Sequence, residues 1–146
     1  MQSPDTRLAQ YRCEVCNPVG PVESAVRGAV QPGDLLQTLS GRGRPAMAYH
    51  TPDGLALVGE RTLVGGRKTV LIPWPALEEV PDFLRGRDWV LIGNLRSAVS
   101  AQEGAEHLKA FLRRSTAGWL AVVLARTNVV IIDRVRPARI KLLPWW

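Results

Sequence analysis

Few residues in this 146-residue chain have the chemistry to bind a metal or to act as a nucleophile. Cys13 and Cys16 have the spacing of one zinc knuckle, but a structural zinc site needs four ligands. Only His50 and His107 remain as further nitrogen donors, so a redox pair or two ordinary cysteines are the alternatives. The sequence has no Ser/His/Asp order, phosphate-binding loop or pair of histidines at metal-ligand spacing. We therefore expect no metal, no cofactor and no enzymatic activity.

Positive charge is concentrated in the last quarter of the chain. The protein has 19 Lys and Arg against 13 Asp and Glu, a net charge of +6. Residues 107–146 contain eight basic residues and one acid, Asp133, and so carry +7, while the rest of the chain carries −1. A GC-rich genome would explain why 16 of the basic residues are Arg, but it would not explain the clustering. The asymmetry predicts a polyanionic partner, because Arg binds phosphate and the guanine edge with two parallel hydrogen bonds.

Composition limits the class of protein. A hydrophobic fraction of 46% and a mean hydropathy of −0.03 exclude disorder as the main state. No apolar run is long enough to cross a membrane, and residues 1–7 are not followed by the apolar stretch of a secretory signal. Two cysteines cannot form a disulfide-rich scaffold. We expect a cytoplasmic protein without a membrane partner.

The first half of the chain predicts a small β lobe. Residues 1–30 are expected to form an irregular arm with a short helix near residues 23–28. Apolar runs then cover 34–39, 46–50, 55–60 and 67–72, with Gly- and Pro-rich turns between them. Asp53-Gly54 is a hairpin signal, because glycine adopts the positive φ that a tight turn needs. We predict an antiparallel meander or SH3-like lobe over residues 31–74.

From Pro75 the apolar residues recur at helical spacing. Pro81 is expected to break this first helix into two short turns. Ser100 and Glu103 have the spacing of a capping box and predict the start of a further helix. Asn128 is suited to end the helix before it. The remaining predicted elements are a strand over 89–93, helices over 103–114 and 117–126, and strands over 129–132 and 139–143.

The order helix, strand, helix, turn, helix, strand, loop, strand over residues 75–146 resembles the winged helix-turn-helix family. The predicted fold class is therefore α+β, a β lobe followed by a winged helix. The resemblance implies that residues 117–126 take the position of the recognition helix, which enters the major groove, and that residues 134–137 are the wing tip. A β lobe with an Arg-rich winged helix also looks like the DNA-recognition domains of bacterial restriction and defence nucleases, including modification-dependent ones. The expected partner is double-stranded DNA, and the resemblance to modification-dependent domains implies a modified base as the target.

The expected contacts are mainly with phosphates. Residues 117–126 contain a single charged side chain, so direct reading of base edges by this helix is not expected. The segment 40–45 contains the Gly-Arg-Pro core of an AT-hook, which lies in the A·T minor groove, although a plain Gly-rich turn is the alternative. The candidate DNA-binding residues are Arg42, Arg44, Lys109, Arg113, Arg114, Ser115, Thr116, Arg126, Arg134, Arg136 and Arg139.

A second hypothesis concerns protein association. Trp119, Val122 and Val123 span more than one stripe of the helix over 117–126, so something must cover the rest of that surface. A homodimer is predicted, with two basic wings side by side. Alternatively, the protein is an interaction module in which this helix and Trp145-Trp146 form a homodimer face. Trp74 is a candidate for stacking on a base, or else a packing residue.

Overall fold

The computed structural model describes residues 19–41, 44–62, 65–112 and 116–146, of which 60–62 and 65–68 are described by their backbone alone. Helix α1 precedes an antiparallel sheet, and helices and a second small sheet follow it. The elements are α1 (Pro21–Ala29), β1 (Leu35–Leu36), β2 (Ala46–His50), β3 (Gly54–Thr62), β4 (Gly65–Pro73), α2 (Trp74–Leu84), β5 (Val90–Leu91), a 3-10 turn (Ile92–Asn94), α3 (Leu95–Ser100), α4 (Glu106–Phe111), α5 (Thr116–Arg126), β6 (Val130–Asp133) and β7 (Arg139–Leu142).

The first sheet follows from alternating apolar residues. Its strands pair antiparallel in the order β1-β2-β3-β4, as a meander predicts. Leu55, Leu57 and Ile72 point inward and are almost completely buried, whereas Tyr49 and Leu71 lie on the opposite face and are partly exposed. The predicted α+β class, with a four-stranded antiparallel sheet followed by helices, is confirmed for the described chain.

Gly54 is required at the β2–β3 turn for a different reason than the one predicted. Its φ is not positive, unlike the φ of Gly33, Gly41, Gly86 and Gly104. A Cβ atom at Gly54 would instead overlap the backbone carbonyl of Ile72 on β4. Thr51 closes the turn: its hydroxyl donates to the Gly54 carbonyl (2.8 Å) and accepts from the Gly54 N–H (3.0 Å). The close approach of two strands, not the turn type, excludes a side chain here.

Helix α2 runs through Pro81, so the predicted break at this residue is wrong. Proline lacks the N–H that would bond to the Leu77 carbonyl, which costs the helix one hydrogen bond. The apolar face of α2 offsets this cost, because Val80, Phe83 and Leu84 are each about 1% exposed. The Arg85 N–H donates to the Pro81 carbonyl at 2.9 Å and closes the last turn.

The predicted capping box of Ser100 and Glu103 is also wrong. Ser100 is the last residue of α3, and α4 begins at Glu106 without a side-chain cap from Ala105. The cap comes instead from Glu79 on α2. Its carboxylate accepts hydrogen bonds from the backbone N–H of Leu108 (2.9 Å) and of His107 (3.3 Å), and from His107 Nδ1 (2.7 Å).

The neighbouring residue of α2 caps a second helix. The Glu78 carboxylate accepts from the N–H of Val22 (3.1 Å) and of Glu23 (2.8 Å), at the start of α1. Two adjacent carboxylates on one helix therefore satisfy free donors of two other helices, and each negative charge lies at the positive end of a helix dipole. This arrangement fixes α1 and α4 relative to α2.

Removing the Glu79 cap is expected to destabilise the protein. Glu79→Ala leaves the first N–H groups of α4 without their acceptor, and we expect a loss of about 1–2 kcal/mol in the free energy of unfolding. Urea denaturation monitored by circular dichroism measures it. Glu103→Ala is the control, because Glu103 is exposed and within the described chain has no partner, so a change below about 0.5 kcal/mol is expected. A larger loss of unfolding free energy for Glu103→Ala than for Glu79→Ala would instead support the capping box of Ser100 and Glu103.

The second sheet and α5 close the other side of the core. Asn128 has a φ of 61° and ends α5 as predicted: its N–H donates to the Ala125 carbonyl (3.1 Å), and the Val129 N–H donates to the Leu124 carbonyl (2.9 Å). Strands β6 and β7 pair antiparallel, and β5 pairs with the other edge of β7, in the order β5-β7-β6. Within the described chain no helix is long and apolar enough to span a bilayer.

The buried side chains form one continuous core that includes both halves of the chain. Val22, Val26 and Val30 are completely buried, so the segment that carries α1 is part of this core. Residues 120–124 of α5 are buried as well, and Val122 is the most exposed of them at 8%. At Val122 and Val123 the apolar surface of α5 that suggested a second copy of the protein is therefore covered by the same chain, whereas Trp119 is only partly buried.

Candidate nucleic-acid interface

Two segments that are far apart in sequence meet beside the start of α5. The turn over residues 38–41 and the β6–β7 loop (residues 134–138) enclose an open groove of about 460 Å³, which we call the Trp119 groove. Its lining residues are Thr38, Leu39, Ser40, Gly118, Trp119, Arg134, Arg136 and Ala138. Among these residues none is acidic, so the groove presents apolar surface, two hydroxyls and two guanidinium groups.

The two arginines of the groove have different surroundings. Arg134 Nη1 donates a hydrogen bond to the Leu39 carbonyl at 2.5 Å, which ties the β6–β7 loop to the 38–41 turn. A neutral carbonyl does not cancel the charge, so Arg134 remains cationic and exposed. Arg136 is exposed and has no ion pair or hydrogen bond with the described part of the chain. Both can donate to an incoming anion.

The base of the β6–β7 loop is fixed by Asp133. Its carboxylate accepts from Arg139 Nη2 at 2.5 Å and from the Val135 N–H at 3.0 Å. The Arg139 hydrogen bond, followed by that of Val135, lowers the pKa of Asp133 below its usual value, so the carboxylate stays ionised at neutral pH. The Arg139 guanidinium also lies over the Trp89 ring, 5.2 Å from its centroid. Arg139 therefore holds the loop, and its side chain remains 41% exposed in this ion pair.

Other basic residues of the C-terminal segment are paired within the protein. Arg126 contacts Asp34 at 3.1 Å, and Lys109 contacts Glu106 at 3.1 Å. Lys141 contacts Asp88 at 3.3 Å. The Trp89 N–H, and next the hydrogen bond from Lys141, lower the pKa of Asp88. The excess of +7 in the sequence is thus partly neutralised by acids from elsewhere in the chain.

Of the remaining candidate DNA-binding residues, two lie in the described part of the chain and four lie outside it. Thr116 donates its hydroxyl to the Phe111 carbonyl at 3.1 Å, and this bond joins the end of α4 to the start of α5. Arg44 is exposed beside the 38–41 turn. Arg42, Arg113, Arg114 and Ser115 lie outside the described residues, as do Cys13 and Cys16. The described chain has no group of three or more His, Cys, Asp or Glu side chains placed to hold a metal ion.

The structure differs from the sequence expectation in which tryptophans are buried and which are accessible to a ligand. Trp74 is 4% exposed, donates its indole N–H to the Thr51 carbonyl (2.9 Å) and lies 4.9 Å from the Arg27 guanidinium, so it is a packing residue and cannot stack on a base. Trp145 is 69% exposed and donates to the Asn128 carbonyl at 3.2 Å. Trp119, which the sequence suggests is a core or dimer residue, is only partly buried and lines the groove.

Neither the comparison with protein-family models nor the searches of curated proteins and of solved structures found a significant match to this chain. The Trp119 groove and the charges beside it are therefore the basis for inferring a function.

Proposed function

We propose that this protein is a non-enzymatic module that binds double-stranded DNA through its phosphates, with the β6–β7 loop as the main contact. The observation that carries the proposal is the pair Arg134 and Arg136, both exposed beside a groove lined without a carboxylate. Arginine is the side chain best suited to phosphate, because its planar fork donates two parallel hydrogen bonds. Arg134 is also held in place by the Leu39 carbonyl.

The order of elements supports a winged helix-turn-helix interpretation of residues 74–142. Helix α2, strand β5, helices α3 to α5 and the β6–β7 hairpin follow one another, and all three strands share one sheet. In this interpretation α5 takes the recognition position and the β6–β7 loop is the wing. Since residues 120–124 of α5 are buried, this helix cannot present a base-reading face. The proposal therefore assigns affinity to backbone contacts and little sequence specificity to α5.

The cations that are paired within the protein, Arg126 and Lys141, are proposed as secondary contacts to DNA. Arg126 and Lys141 keep 44% and 45% of their side chains exposed in their ion pairs. Exposed ion pairs of this kind contribute about 0–1 kcal/mol, so exchanging a carboxylate for a phosphate costs little. They add to the positive field that attracts DNA, which falls off as salt increases.

The test is a salt titration of DNA affinity. Fluorescence anisotropy with a labelled duplex is expected to show binding that weakens steeply with salt. Arg136→Ala should lower the slope of log Kd against log salt by about 1, and the Arg134→Ala/Arg136→Ala double variant by about 2. Arg96→Ala is the matched control, since Arg96 is also exposed, lacks a partner in the described chain and does not line the groove.

Two results would overturn the proposal. One is the absence of DNA binding by the wild-type protein at low salt. The other is an equal loss of affinity with Arg96→Ala and Arg136→Ala, since this would show a response to net charge alone. Recognition of a modified base for a restriction or defence nuclease depends on the resemblance to such domains. It predicts tighter binding to a methylated duplex than to the same unmodified sequence.

A homodimerisation module is the second candidate function. Its support is no longer α5 but the edge strand β6, where Ile131 is 48% exposed and shares a shallow groove with Trp145. An exposed apolar patch beside unpaired strand edges is typical of an association surface. Association through this patch would resist added salt, unlike phosphate binding. Light scattering at low and high salt separates the two.

A further inference from the structure

We propose that the Trp119 groove accepts an unpaired nucleobase of a bound DNA strand, with Trp119 as the stacking surface and Arg134 and Arg136 on the adjacent phosphates. This inference rests on the proposed DNA binding and adds a substrate class to it, namely DNA that contains an unpaired or extruded base. Three features of the groove carry it: its size and apolar surface, a glycine beside the ring, and the distribution of its polar groups.

The groove is large enough for a nucleobase and has apolar surface for it to contact. Its volume of about 460 Å³ lies within the range of small-molecule pockets. Leu39, Trp119 and Ala138 supply apolar surface, and Trp119 is partly exposed although it also packs on the core. Every base has a π-face, so an accessible indole ring binds bases without regard to sequence.

Gly118 keeps space open beside this ring. It lies in the first turn of α5, where glycine is a poor helix former. Its φ is not positive, and among the described residues outside the backbone of α5 a Cβ atom would meet only the Leu39 side chain, at 3.8 Å. Neither backbone conformation nor packing therefore requires glycine at this position. The missing side chain instead leaves room in the groove next to Trp119.

The groove also contains polar groups of the kinds that bind a nucleotide. The indole N–H of Trp119 has no acceptor among the described residues, whereas those of Trp74 and Trp145 donate to carbonyls. The hydroxyls of Thr38 and Ser40 line the groove, 3.4 Å from each other, and both donate and accept. The two arginines lie on the β6–β7 side of the same groove. Apolar surface, hydroxyls and cations together match a base linked to a phosphate.

The experiment compares two labelled duplexes of the same sequence, one perfect and one with a single unpaired adenine. At one fixed salt concentration, we expect the wild-type protein to bind the bulged duplex about tenfold more tightly, the value of one base–aromatic stack. Trp119→Leu should bring this ratio close to one, and Trp119→Phe should keep most of it. Because Trp119 also packs on the core, a second pair of variants is needed.

Gly118 supplies that pair without removing a core contact. Gly118→Leu places a side chain in the groove and should abolish the preference for the bulge, whereas Gly118→Ala should retain it. Adenosine monophosphate is added as a competitor, because a free nucleotide offers the same chemistry. Competition by the mononucleotide at the concentration at which the bulged duplex binds would show a free-nucleotide site and overturn the assignment to DNA.

The outcomes separate this inference from the function on which it rests. Equal binding of both duplexes by the wild type would overturn the base site and leave phosphate binding intact. A preference for the bulge that survives both Trp119→Leu and Gly118→Leu would place the base elsewhere and overturn the assignment to this groove. Failure to bind either duplex would overturn the proposed function itself.

Discussion

Gly54→Ala is expected to destabilise the protein by about 3 kcal/mol, as overpacking a site without free space does. The added methyl group would overlap the Ile72 carbonyl, a backbone atom that cannot rotate away. To remove this overlap, β3 would have to move away from β4. At this end of the two strands, Gly54 pairs with Pro73 and Leu55 pairs with Ile72. Since Leu55 and Ile72 are completely buried, the movement would also disturb the core.

Gly28→Ala is the matched control, because it makes the same chemical change where there is room. Gly28 lies in α1, its φ is not positive, and outside the backbone of α1 no heavy atom of the described residues is within 4 Å of the position of the new methyl group. Alanine is the better helix former, so we expect Gly28→Ala to stabilise the protein by up to about 1 kcal/mol. Urea denaturation of both variants should give effects of opposite sign. A neutral Gly54→Ala would show that the two strands separate easily.

Local sequence signals predicted the elements whose causes are local. Alternating apolar residues and Gly- or Pro-rich turns indicated the four-stranded sheet, and Asn128 indicated the end of α5. The signals failed where contacts with residues distant in sequence determine where a helix begins or whether it continues. The capping box at Ser100 is a valid pattern, but Glu79 from another helix occupies the N–H groups of α4. Pro81 is a helix breaker in isolation, yet the burial of Phe83 and Leu84 stabilises one continuous helix.

The sequence indicated only those features of the candidate site that do not depend on contacts between distant residues. The charge count identified Arg134 and Arg136 as candidate contacts, but it could not show which cations are paired. Arg126 meets Asp34 across 92 residues, and Arg134 meets the Leu39 carbonyl across 95. Contacts at such separations depend on tertiary structure and leave no spacing in the sequence. Nothing in the sequence marked Trp119 as a groove residue, although the glycine before it is an unusual choice inside a helix.

A charge placed in α5 tests whether this helix is core or interface. Val123 is completely buried, so Val123→Glu puts a carboxyl group among apolar side chains, where it must either stay charged or take up a proton at a cost. A loss of about 3–5 kcal/mol is expected for a buried charge without a partner. This is a large fraction of the stability of a small domain, about 5–15 kcal/mol. Thermal denaturation by circular dichroism should show a strongly lowered Tm.

Ile131→Glu is the control that makes this result informative. It introduces the same charge on β6, where Ile131 is 48% exposed, and we expect a change below about 1 kcal/mol there. Light scattering of the wild type and of both variants then distinguishes the hypotheses. If α5 is core, Val123→Glu is strongly destabilised and Ile131→Glu is not. A dimeric wild type that Ile131→Glu converts to a folded monomer would place the association surface on β6. A folded, monomeric Val123→Glu from a dimeric wild type would instead make α5 the interface and contradict its burial within one chain.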